Sequence, residues 1–258
     1  MHVASKESSV SPGDEEQAYL AAYDASIFPR PSVAVDVVLL TVRNGGIWAL
    51  LARRADHPHR GRWAVPGSFL RIDESLDAAA SRVLATKAGL ADIFTEQLYT
   101  FGAPDRDPRT RVVAVAYYAL VEPSRLDRVV SAREAVDLRL ARLSVPWPGE
   151  TGGSVGALDD EGRELGLAFD HAEILGMAVK RIRGKLDYAP IGFELLPDAF
   201  SLRDLRFVHE AILGRALNKD SFRRRIIDRG LVVPTGRRAA GVGHRPPELY
   251  RFADRSAT

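Results

Sequence analysis

The sequence predicts an α+β chain of two unequal domains, a strand-and-helix domain over residues 31–190 and a small basic module over residues 199–258. Three observations carry that reading. Ser32 to Val42 (SVAVDVVLLTV) is β-branched and almost wholly apolar, the composition of a buried strand. Leu76, Ala79, Ala80, Val83 and Leu84 recur at three- and four-residue steps, which places them on one buried helical face. Charge separates the two ends: residues 201–258 hold 13 Lys and Arg against 6 Asp and Glu, whereas residues 1–200 hold 23 against 28. An excess of positive charge in so short a module points to an anionic partner.

The length of 258 residues is enough for one large or two modest cores. An apolar fraction of 46% with 27% charged residues is that of a soluble globular protein. There is no cysteine, which excludes disulfides and thiolate metal sites and fits a cytoplasmic location. The N-terminal stretch MHVASKESSVSPGDEEQ lacks the apolar centre of a secretory signal. The longest apolar run, Val112 to Val121, is too short to span a bilayer, so no membrane partner is expected.

Taken in order, residues 1–30 read as a tail or arm, disordered over residues 1–17, where Ser, Pro, Gly and charge dominate. After the strand from Ser32, Asn44-Gly45-Gly46 signals a hairpin and Ile47 to Arg53 the return strand. Trp63 to Val65 leads through a tight Pro66-Gly67 turn to a helix starting near Glu74, and Ala88-Gly89 stops it. Gln97 to Phe101 and Arg111 to Val121 read as strands. Between them, Asp105, Arg106, Asp107 and Arg109 crowd a proline-stiffened loop, where fixed donors beside carboxylates suit a phosphate and a ribose. Val145 to Gly166 holds six glycines and reads as a flexible insertion. Asp170 then caps a helix with Ile174, Leu175, Ala178, Ile182 and Leu186 on one face. A Pro-punctuated connector follows, with the linker at residues 191–198.

The basic module begins at Ser201, with Asp204 three residues on as in a capping box. Leu202, Leu205, Val208, Ile212 and Leu213 form one apolar stripe, and Gly214 ends the helix. Asn218 caps a second helix in which Phe222 and Ile226 face inward, so Lys219, Ser221, Arg223 and Arg224 point outward. Leu231 to Val233 and Glu248 to Phe252 read as strands flanking a tip that carries Arg237, Arg238, His244 and Arg245. Helix, turn, helix and a two-stranded basic wing make a winged helix-turn-helix. Arginines on its second helix can meet guanine edges, and wing arginines can hold phosphates. Asn218, Lys219, Ser221, Arg223, Arg224, Arg237, Arg238, His244 and Arg245 are the candidate contacts to double-stranded DNA.

Ser68 to Leu90 resembles the Nudix signature, matching at Glu74, Arg82, Leu84, Gly89 and Leu90. Ser68 replaces its first glycine, and Val83, Thr86 and Lys87 replace the three glutamates that would hold Mg²⁺ on one helical face. The resemblance implies an α/β/α sandwich, and the substitutions imply that no catalytic residue, metal or required cofactor remains. With a winged helix-turn-helix after it, the chain resembles the Nudix-related regulators of NAD metabolism, the NrtR family. The stretches YDASIFPRPSVAVDVV, TFGAPDRDP, LAFDHAEIL, KLDYAPIGFELLP and AILGRALNKDSFRRR carry that resemblance. It implies a homodimeric repressor of NAD biosynthesis or salvage genes, bound to palindromic operators and released by ADP-ribose. The effector is expected against Arg53, Arg54, Phe69, Arg71, Glu74, Arg82, Asp105, Arg106 and Arg109. The rival reading is a Mg²⁺-dependent Nudix hydrolase of ADP-ribose with a DNA-binding tail.

Overall fold

The computed structural model describes residues 12–132, 137–186, 193–239 and 246–253. Residues up to Pro31 form a separate unit from Ser32 onward. Within the first unit, helix α1 (Pro12–Ala22) overrides the disordered tail expected through residue 17. Pro12 suits the first helical position, and Asp14 and Glu15 complement the positive end of the helix dipole. The rings of Tyr19 and Tyr23 lie 5.8 Å apart, and Asp24 caps the short turn Ala25–Ile27.

The second unit is built on one eight-stranded sheet. Its strands are β1 (Ser32–Arg43), β2 (Gly46–Arg53), β3 (Trp63–Ala64), β4 (Gly67–Phe69), β5 (Glu96–Phe101), β6 (Val112–Leu120), β7 (Leu138–Ser144) and β8 (Gly156–Leu158). The order is β5-β6-β1-β2-β7-β8, with β3 added to β2 and β4 to β1. The β1–β6 pairing is parallel, from Ser32 opposite Val112 to Leu40 opposite Leu120. The β1–β2 hairpin closes at Asn44 and Gly45, both with positive φ.

Alternate side chains of β1 feed two cores, which is why the strand reads as a continuous apolar run. Val35, Val37 and Leu39 join Ala79, Ala80 and Val83 of α2 (Leu76–Val83) and Leu126 of α3 (Pro123–Ala132). Val38, Leu40 and Val42 join Ile174, Leu175, Ala178, Val179 and Ile182 of α4 (His171–Lys185). The sheet is therefore covered by helices on both sides. Ser75, next to Glu74, caps the start of α2: its hydroxyl accepts the Ala78 amide, and a π-helical turn Leu84–Ala88 leads to Gly89.

Residues 145–166 differ from the flexible insertion expected. Strand β8 pairs with β7, and Val155, Ala157 and Asp159 are buried. The glycines are local fittings within an ordered loop. A Cβ on Gly176 would come within 1.9 Å of the Gly153 carbonyl oxygen, so a bare backbone lets this loop lie against α4. Asp159 turns the chain by accepting the amides of Glu161 and Arg163 and the Arg163 guanidinium.

The C-terminal module holds α5 (Leu202–Leu213), α6 (Lys219–Asp228) and an antiparallel wing of β9 (Val232–Arg238) and β10 (Glu248–Phe252). The Ser201–Asp204 capping box is complete in both directions. Strand β9 runs on to Arg238, five residues beyond the strand expected to end at Val233. Phe200, Leu205, Phe222, Ile226, Val232 and Tyr250 form the core of this module. Helix α5 also serves the other domain, because Val208, Ala211 and Ile212 belong to the α4 side of the sheet core. The connector from Tyr188 lies outside the described residues as far as residue 192; Phe193–Leu195 form a 3₁₀ turn.

Candidate effector pocket and nucleic-acid interface

A cavity of about 390 Å³ opens over β1 and β4 beside the N-terminus of α4. Of the residues named for the effector, Arg54, Phe69, Arg106 and Arg109 line it, together with Asp36, Asp56, Lys87, Asp107, Phe169 and His171. Arg106 is the hub of its floor. Its Nε and Nη2 donate to the two Asp170 oxygens at 2.9 and 2.7 Å, and Nη2 lies 3.8 Å from Asp36. Asp170 was expected to cap α4 with its side chain; instead it sits at the N-cap position with its carboxylate committed to Arg106. Burial pushes the Asp36 carboxyl up to about 7 against the pull of Arg106, and Asp170 adds to the rise. A Cβ on Gly67 would fall 2.1 Å from the Asp36 carboxylate, so only glycine lets the chain pass here.

The other arginines are held over aromatic faces. The Arg54 guanidinium lies 4.7 Å from the Phe169 ring centre, and Arg109 lies 5.3 Å from Phe69 and 5.9 Å from Phe169. Arg54 donates to the Pro58 carbonyl at 2.8 Å, and Arg109 forks onto Asp107 at 3.0 and 2.7 Å. That hydrogen bonding holds Asp107 below the usual carboxylate range. His171 Nδ1 accepts the Val65 amide at 2.9 Å, and burial drives its pKa down to about 3, so the ring is neutral at pH 7.

The remaining expected residues do not line this cavity. Arg53 is exposed and donates to the Gly61 carbonyl; Arg71 and Asp105 are exposed loop residues. Glu74 is occupied by Arg82, which also donates to Ser68, and by the Arg71 amide. Those bonds, Arg82's first, bring its pKa down to about 2. A divalent cation does not fit this box. Val83 is fully buried in the core, Thr86 bonds back to the Arg82 carbonyl, and Lys87 brings a cationic residue, not a carboxylate, to the cavity lining. No group of three or more metal-capable side chains occurs among the described residues.

Sequence reasoning left out Asp36, Phe169 and His171, and took Lys87 only as a lost ligand. Asp36 stands alone in an apolar strand, and Phe169 owes its position to a positive φ of 50° that no residue pattern announces.

On the C-terminal module, Lys219, Ser221, Arg223 and Arg224 are exposed on α6, opposite buried Phe222 and Ile226. The Asn218 Oδ1 is engaged in capping, accepting the Asp220 and Ser221 amides at 3.1 and 3.0 Å. Arg237 is exposed on β9, and Arg238 donates to the Pro246 carbonyl at 2.9 Å. His244 and Arg245 lie outside the described residues. Arg203, on α5, was not among the candidates, yet it lines the same recess as Lys219 and Arg223.

Comparison with known proteins agrees with both halves. Residues 30–147 match the model of the NUDIX domain, and residues 192–252 that of the NrtR DNA-binding winged helix domain. The ADPR responsive transcriptional repressor NtrR of Acinetobacter baylyi is 34% identical over 240 residues, 92% of this chain and 88% of its own. The crystal structure of Shewanella oneidensis NrtR complexed with a 27mer DNA superposes with a TM-score of 0.69 at 32% identity, covering 85% of this chain and 93% of that one. An ADP-ribose pyrophosphatase of Methanocaldococcus jannaschii is 30% identical over 149 residues, 58% of this chain and 73% of its own. A Nudix domain joined to a winged helix defines the class of Nudix-related transcriptional regulators. Within that class, the chain belongs to the NrtR family.

Proposed function

We propose that this chain is an ADP-ribose-responsive repressor of NAD biosynthesis or salvage genes, acting in the cytoplasm as a homodimer on palindromic operators. The observation that carries it is the cavity at the N-terminal end of α4. Four cationic side chains, Arg54, Lys87, Arg106 and Arg109, line it with three carboxylates, and the rings of Phe69 and Phe169 hold two of those arginines in place. Lys87 stands where a hydrolase would hold metal, so the diphosphate meets fixed positive charge with no resident cation. The homologous repressor from Acinetobacter baylyi supports the choice of ligand. A twofold arrangement of recognition helices one DNA turn apart suits a palindrome.

The same helix supports transmission. At its far end, Arg183 Nε donates to the Ile212 carbonyl at 2.7 Å, tying α4 to the last turn of α5. A ligand that shifts Arg106 and Asp170 thereby acts on the helix that carries the DNA-binding core.

Calorimetric titration of ADP-ribose into the full chain tests the assignment. Arg54→Ala is expected to weaken binding about tenfold or more, the scale of one charge-assisted hydrogen bond. An unchanged Kd contradicts the pocket. The hydrolase reading predicts Mg²⁺-dependent turnover of ADP-ribose, which is expected to be absent.

A further inference from the structure

A second cavity, of about 410 Å³, lies between the 145–150 loop, the C-terminal end of α4, and helices α5 and α6. Arg183, Arg215, Arg225, His209 and a single carboxylate, Glu150, line it. Arg183 is 7% exposed, and all its hydrogen bonds among the described residues go to carbonyls. Nε takes Ile212; Nη1 takes Trp147 at 3.2 Å and Gly149 at 2.9 Å; the guanidinium stacks 4.9 Å from the Trp147 ring centre. Its Nη2 has no acceptor among the described residues, and no carboxylate pairs with it there. Burial alone lowers its pKa.

Among the described residues no Arg183 nitrogen is both fully buried and unpaired. Its Nη2 therefore opens to the recess, where an anion can reach a guanidinium that only carbonyl dipoles neutralise. It faces a recess lined by three guanidinium groups and one carboxylate. Arg215 is exposed at the rim, just past the end of α5, and its guanidinium has no partner among the described residues. Planar donor forks converging from different elements suit tetrahedral oxyanions better than a carboxylate.

We propose that this interdomain recess is a binding site for a small phosphate-class anion, distinct from the effector pocket, bridging Arg183 of the Nudix domain and Arg215 of the winged-helix module. The anion takes the open Arg183 Nη2, and the bridge fixes α5 and α6 against α4.

The test is calorimetric titration of inorganic pyrophosphate into the full chain carrying Arg106→Ala, which disables the effector pocket. Saturable one-to-one binding is expected in that background. Adding Arg215→Ala, an exposed change that leaves the melting temperature in place, is expected to weaken it about tenfold or more. Adding Arg183→Gln is expected to abolish it. No saturable binding in the Arg106→Ala chain and none in an Arg54→Ala chain, which leaves the Arg106–Asp170 pair intact, overturns the proposal. So does binding that Arg215→Ala leaves untouched, because the anion then sits elsewhere.

Discussion

Asp36 lies 3.8 Å from the Arg106 guanidinium, and burial still pushes its carboxyl from 3.8 up to about 7. Between those two values the folded chain keeps a proton that the unfolded chain has released, so this residue makes stability fall as pH rises from about 4 to about 7. Asp36→Asn removes the titration. Urea denaturation should then show the stability difference between pH 5 and pH 8 reduced by on the order of 2–4 kcal/mol. An unaltered difference would place the titration on another group. Val83 makes the complementary case. It is fully buried, so Val83→Glu, a step back toward the hydrolase box, is expected to destabilise by about 3–5 kcal/mol in the same assay. The missing metal ligands were legible because they are identities at fixed spacing. Asp36 was not: its partners Arg106 and Asp170 are far along the chain, and only the folded sheet brings the three together.

Helices with complete caps were the most legible elements. Ser201 with Asp204, and Asn218 with the Asp220 and Ser221 amides, mark the starts of α5 and α6 where local chemistry demands them. Helix α3 and strand β7 had no such signal, and β8 was hidden by the glycines around it. The face of α6 gives a prediction of its own. Arg224→Ala should weaken operator binding by about 1–3 kcal/mol and leave binding to random DNA nearly unchanged, if its guanidinium reads a base. Gel shifts on both DNAs at one salt concentration decide it, and equal losses on both would make Arg224 a phosphate contact. Helix α5 departs most from the two-domain reading. Leu205 belongs to the winged-helix core, while Val208, Ala211 and Ile212 belong to the sheet core, a sharing that a single apolar stripe does not reveal.

Across the whole molecule, one sheet, α4 and α5 form a continuous path from the pocket to the recognition helix. Asp170 and His171 hold the pocket end of α4 through Arg106 and Val65, and Arg183 holds the other end to α5. Regulation through that path, as proposed, is a linkage. For ADP-ribose to lower operator affinity a hundredfold, it must prefer the non-binding state by about 2.7 kcal/mol. By reciprocity, operator DNA must weaken ADP-ribose binding by the same factor. No helix among the described residues is long and apolar enough to cross a membrane. The most direct measurement is a gel-shift titration on a palindrome upstream of NAD genes, with and without ADP-ribose, at fixed salt. Specific binding that ADP-ribose releases in the parent chain but not in Arg106→Ala is the predicted result. Specific binding that ADP-ribose leaves unchanged in the parent chain would contradict the account.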